Sequence, residues 1–215
     1  MLVYYLGILY SYTPVAELTH INRCEDEEGE DKETEDIEKG IWDLLGYYVH
    51  ESKTVHICDH EIDEFVNSHS EVPQNLLLLK FLVKELVRLH EHSHAVLHLN
   101  DFDNLIKPVD KPIDPRINEP LTEFISYAVI RYIDDPLILQ VFEWADKHCP
   151  QYYRRWLEIK ILLDREEIFP EDYWKYIPGI VKIMRAYPTL KTLEDLLEHV
   201  RHNWEKIEKI DISKL

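Results

Sequence analysis

Cysteine, basic clusters and long apolar runs are what this chain lacks. The three cysteines, Cys24, Cys58 and Cys149, are odd in number and show no CxxC spacing. A disulfide framework is therefore not expected, and a cytoplasmic setting is. No lysine- or arginine-rich stretch of the kind that grips phosphates occurs, which argues against nucleic acid as a main partner. No apolar run is long enough to cross a bilayer, so no membrane association is expected. The most apolar segment, MLVYYLGILYSYTP, is broken by Pro14 and lacks the basic start of a signal peptide, Arg23 being the first arginine. It reads as a buried strand. There is no internal repeat, and scarce glutamine and methionine beside abundant glutamate, lysine and isoleucine hint at a thermophile.

What is present is a 215-residue chain, 45% hydrophobic and 31% charged, in the range of a soluble globular protein with a sizeable core. Its net charge of −18 is uneven, because residues 25–39, EDEEGEDKETEDIEK, carry ten acids and two lysines. Such a run repels itself and buries nothing, so it reads as a mobile acidic loop, with a docking segment for a basic partner as the second reading.

The hydrophobic pattern predicts an α+β, mostly helical fold. Residues 1–24 form an N-terminal strand region, 40–135 a core, and 136–215 an all-helical subdomain whose outer faces could bind a protein partner. In the core, GYYVH and KTVHIC flank the turn ESK and predict a β-hairpin. In the second arm Val55 and Ile57 form an apolar face opposite His56 and Cys58. Leu76, Leu79, Leu82, Val83, Leu86, Val87 and Leu89 recur at helical spacing, predicting a largely buried helix from about Gln74 to His98. After a proline-rich stretch a second helix is predicted from near Glu119 to Ile133, and Asp134-Asp135 before Pro136 should end it and cap the next. The tryptophans and tyrosines from Trp144 to Tyr187 recur at helical spacing and read as core.

Late in the first helix stands His90-Glu91-His92-Ser93-His94, an H-E-x-x-H match. Residues four apart share a helix face, so His90 and His94 can direct their rings at one zinc ion. Glu91 then projects beside the metal, where a carboxylate can take a proton from zinc-bound water. His92 points to the opposite side of the helix, and His98 lies one turn beyond the pair. A catalytic zinc needs a third protein ligand. Leu97 and Asn100 stand where a metzincin has glycine and histidine, which excludes that class. Asn118-Glu119-Pro-Leu-Thr-Glu123 opens the next helix: Glu119 could reach the ion, and Glu123 could accept the free ring N–H of a zinc-bound histidine.

The pair HEHSH and NEPLTE resembles the gluzincins, the thermolysin-like zinc metallopeptidases and their aminopeptidase relatives. The resemblance spans about residues 42–130. It implies Zn2+ held by His90, His94 and Glu119, with Glu91 as the base and Glu123 supporting a ligand. It also implies that the strand containing Val55, His56 and Ile57 is the edge along which a peptide or protein substrate aligns. Pro120 after Glu119 departs from the family pattern, though proline is accepted in a helix's first turn. The group that would steady an oxyanion is open among Tyr127, Tyr132 and His148. The expected activity is zinc-dependent hydrolysis of peptide bonds. The alternatives are a non-catalytic zinc-binding regulatory module, a metal site at His56, Cys58 and His60 on one strand face, and a di-iron bundle. The last lacks a second Glu-x-x-His pair.

Overall fold

The histidine-bearing helix is the axis around which the other elements pack. The computed structural model describes residues 1–21, 45–69, 75–100, 113–148 and 153–207. The N-terminal part runs α1 (Leu2–Tyr10), β1 (Ala16–Ile21), β2 (Gly46–Val49), β3 (Thr54–Cys58), α2 (Asp59–His69), α3 (Leu76–Leu99) and α4 (Pro115–Ile133). There follow α5 (Pro136–Asp146), α6 (Trp156–Arg165), α7 (Ile177–Ala186) and α8 (Leu193–His202), with 3-10 turns that include Pro170–Lys175. The fold is α+β and mostly helical, as the hydrophobic pattern predicts. The acidic stretch 25–39 lies outside the described residues.

The N-terminal apolar segment is a helix, not the expected strand. Its tyrosines, Val3 and Ile8 favour a pleated surface. Even so, Leu2, Leu6 and Leu9 recur at helical spacing and bury one face of α1 against α3 and α4. Only β1, further along the predicted strand region, is extended.

The hairpin forms as predicted, with Tyr47 opposite His56 and Tyr48 opposite Val55. Its neighbour was not foreseen: β1 runs parallel to β3, giving the strand order β1-β3-β2. Val55, His56 and Ile57 thus lie in the central strand, which corrects their assignment to a substrate edge. Both sides of β3 are occupied, and the edge beside the helix pair is β2. Cys58 is disulfide-bonded, contrary to the expectation from sparse cysteines. His60 belongs to α2, where its ring pairs with Glu64 at 3.2 Å, so His56, Cys58 and His60 do not share a strand face.

In α3 the Asn75 side chain accepts from the Leu78 N–H at 3.2 Å and fixes the start. From Leu89 to His98 every residue is buried, because α1, the β2/β3 hairpin and α4 pack around the helix. The carbonyl end of α3 is held by a remote residue. Arg185 of α7 donates to the carbonyls of Leu97 and, at 3.0 Å, Asn100, where helix ends leave acceptors without intrahelical partners.

Helix α4 begins a turn before its predicted start, with Pro115 in its first turn and Asp114 accepting from the Arg116 N–H at 3.0 Å. Pro120 therefore lies inside the helix, where it removes the N–H that would bond the carbonyl of Arg116. Asp134 ends α4 in the left-handed region, and Asp135 accepts from the Leu137 and Ile138 N–H groups to start α5, as expected. The far side of α4 is covered by α6 and by Pro170–Lys175, where Trp156, Tyr173 and Trp174 are buried. One apolar core runs from Leu2 to Val200, so the helices after residue 136 share it with α3 and α4.

Candidate metal centre

Three side chains from two adjacent helices converge on one point. His90 and His94 lie one turn apart on α3 and turn their Nε2 atoms to within 3.2 Å of each other. Glu119 comes from the early part of α4, and its Oε2 lies 3.5 Å from His90 Nε2 and 3.4 Å from His94 Nε2. That oxygen is buried and makes no hydrogen bond. Charge-assisted N–H···O bonds run at about 2.7–2.9 Å, so these contacts are longer than a good charge-assisted hydrogen bond. Ligand atoms at about 2.0–2.1 Å from a tetrahedral zinc are separated from one another by about 3.3–3.4 Å. All three observed spacings fall close to that edge length, so the residues fit a divalent metal of zinc's size.

Each imidazole is held in the orientation that metal binding needs. The His90 Nδ1–H donates to Glu123 Oε2 at 2.9 Å, across the α3/α4 contact. His94 Nδ1 lies 3.1 Å from Thr122 Oγ1 and 3.0 Å from the Asn118 side-chain amide. The Asn118 contact is made by its amide Nδ2, and the two contacts together hold the His94 ring in one orientation. Close approach of the two helices permits this reach. Ser93 and Ser126 face each other at 3.3 Å, each folded back onto its own helix, to Leu89 and Thr122 respectively.

Glu91 is 1% exposed, and its stem rests against Gly46 of β2, where a Cβ would fall 3.2 Å from Glu91 Cγ. Glu91, His94 and Glu119 line one cavity of about 170 Å³ together with Tyr48, His50 and His98. Among the described residues no lysine or arginine lines it. Glu91, Glu119 and Glu123 thus place three carboxyl groups around two imidazoles, a concentration of buried negative charge that calls for a cation.

The titration behaviour agrees. Burial alone would strip the protons from His90 and His94, but Glu119 and the other neighbouring carboxylates outweigh it and raise both. Burial pushes Glu119 up, but the imidazoles, His94 foremost, hold it well below the usual carboxylate range. A bound metal would take the place of those protons. His92 points away from the cluster, as helix arithmetic predicts. Its Nδ1 meets the Tyr12 hydroxyl at 3.0 Å, and burial, followed by Arg88, pushes its pKa down to about 4.

The structure brings His90, His94, Glu119, Glu91 and Glu123 together and leaves the three oxyanion candidates elsewhere. Tyr127 packs among Phe142, Trp156 and Tyr173, Tyr132 lies on Trp174, and His148 sits beside His69 and Trp144. The side chains that sequence reasoning missed are Asn118, Thr122, Tyr48 and His50. Asn118 and Thr122 were within the quoted NEPLTE, one helical turn apart, and both reach His94. Comparison with known proteins adds nothing to this geometry: no family model matches the chain, and no curated protein or solved structure matches it.

Proposed function

We propose that the protein is a zinc-dependent hydrolase of peptide bonds, related in its centre to the gluzincins, with His90, His94 and Glu119 as ligands and Glu91 as general base. The observation that carries the reading is the triangle of 3.2, 3.4 and 3.5 Å between two imidazole nitrogens and a carboxylate oxygen. When bound, zinc would supply a Lewis acid and bring the pKa of its water towards about 7. Glu91 takes the proton of the attacking water and passes it to the leaving nitrogen. Glu123, Thr122 and Asn118 keep the two imidazoles turned inward, and burial of α3 keeps bulk water from competing. A peptide or protein segment would align along β2, the strand edge nearest the cavity.

A non-catalytic zinc-binding module is the second reading, favoured by the small size of the cavity. A cytoplasmic home would suit a thermophile, since disulfides such as that of Cys58 persist inside cells mainly there. No helix among the described residues is long and apolar enough to cross a membrane.

The test is elemental analysis of untagged protein together with peptide-library cleavage. The wild type should hold about one zinc per chain, and Glu119→Ala and His94→Ala should lose it. Glu91→Gln should keep the metal and lose turnover. Zinc retained without Glu119 would refute the ligand set, and zinc-loaded wild type that cleaves no peptide would leave the binding module.

A further inference from the structure

The first turn of α3 breaks the pattern of a surface helix. Leu76, Leu77, Leu78 and Leu79 follow one another, so every side of the helix is apolar there, the solvent side included. Leu77 is 82% exposed, and Phe81, four residues on and therefore beside it, is 51% exposed. Leu76 and Leu78 are exposed as well. An exposed apolar run of this length marks a contact surface. The lysines of these turns leave it bare, because Lys80 and Lys84 are drawn to one side by Asp63 and Asp59 of α2, at 2.9 and 2.5 Å.

Beside this ridge lies a hollow. Leu78, Leu79 and Leu82 of α3 and Leu137, Val141 and Trp144 of α5 line a cavity of about 270 Å³. No charged side chain among the described residues lines it. Leu137 is itself 44% exposed. Leu78 belongs to both features, so ridge and hollow form one continuous surface. A fully exposed side chain of this size presents roughly 150–200 Å², so Leu76, Leu77, Leu78, Phe81 and Leu137 together offer about 400–500 Å² of apolar surface. One side of a standard dimer interface covers about 800 Å², a little over half of it apolar. The patch supplies that apolar share.

We propose that this face is a two-fold interface between two copies of the chain, the Leu77–Phe81 ridge of each seated in the α3/α5 hollow of the other. A ridge and a hollow side by side on one surface are what an isologous contact requires, because each copy must offer both halves of the fit. Charge agrees with it. Two chains that each carry a net −18 repel one another unless the surface on which they meet is free of acids, as this ridge and hollow are among the described residues. Leu77 lies thirteen residues before His90, about 20 Å along the helix, so the inference stands apart from the hydrolase reading.

The experiment is sedimentation equilibrium of the full chain and its variants over a dilution series. Wild type should be a dimer with a dissociation constant of about micromolar or tighter. Leu77→Glu on the ridge and Leu137→Lys in the hollow should each weaken association by on the order of 100-fold, since either sets an unpaired charge into the contact twice over. Both positions are exposed in the single chain, so circular dichroism should show both variants folded as wild type is. Mixing the two variants should recover dimers. In the mixed pair one contact brings the new charges together with opposite sign, and the other contact is unaltered. Ile161→Lys, at an exposed apolar position on α6, should change nothing. Monomeric wild type throughout the series overturns the proposal and leaves the face to a different partner. A dimer that withstands both substitutions, or is weakened as much by Ile161→Lys, places the contact elsewhere and overturns it equally. Failure of the mixture to recover overturns the pairing of ridge with hollow.

Discussion

Replacing Glu123 by glutamine tests the centre at a group that does not touch the metal. The carboxylate accepts the Nδ1–H of His90 at 2.9 Å, with both side chains almost wholly buried. Glutamine keeps the shape and an acceptor oxygen but removes the charge that makes His90 a better ligand. A buried hydrogen bond to a charged group contributes about 1.5–3 kcal/mol, of which the neutral acceptor retains part. The expected loss in zinc affinity is thus about 10–100-fold, or about 1.4–2.7 kcal/mol. A competition titration against a chromophoric chelator at fixed pH reads it directly. Two results would refute the reasoning. Affinity unchanged within about threefold would mean that the contact does not tune the ligand. A loss as large as that of His94→Ala would mean that Glu123 is itself a ligand and Glu119 is not.

Two further outcomes follow from the same geometry. His92 titrates at about 4 in the folded chain, against about 6.5 when unfolded. Its stabilising contribution is therefore complete above the unfolded value and is lost as pH falls from there towards 4, up to about 3 kcal/mol. Urea unfolding across that window should show a shallower pH slope for His92→Gln, and an unchanged slope would show that His92 is not the sensitive group. At Gly46 a Cβ would sit 2.6 Å from Val87 Cγ1 and 2.9 Å from the carbonyl oxygen of His56. Gly46→Ala should lower stability by about 1–3 kcal/mol and displace Glu91 as β2 backs away. An unaltered Tm for that variant would contradict the packing described.

The candidate cluster was legible because each part of it is local. His90 and His94 are placed by helical spacing alone, and Glu119 and Glu123 by the same spacing on the following helix. What the sequence could not show is pairing between distant segments. The parallel contact of β1 with β3 joins stretches more than thirty residues apart, and without it KTVHIC looks like an edge and GYYVH like its inner partner. The cavity lining of Tyr48, His50 and His98 is hidden for the same reason, since Tyr48 meets His98 only when β2 lies across α3. Helix α1 was misread for a different cause. Its β-favouring residues outweighed a spacing of Leu2, Leu6 and Leu9 too short to stand out, and tertiary packing against α3 decided the outcome.

The clamp that Arg185 places on the end of α3 also orders events in time. Every side chain converging on the centre, from Tyr48 to Glu123, leaves the ribosome before Arg185 is made. The bonds that hold Leu97 and Asn100 span 88 and 85 residues, contacts that close late in folding. A nascent chain thus carries all the ligands on a helix whose carbonyl end is still loose. Docking of α7 is what closes the carbonyl end of the helix that carries His90 and His94, so the geometry of the cluster depends on a segment far behind it in the sequence.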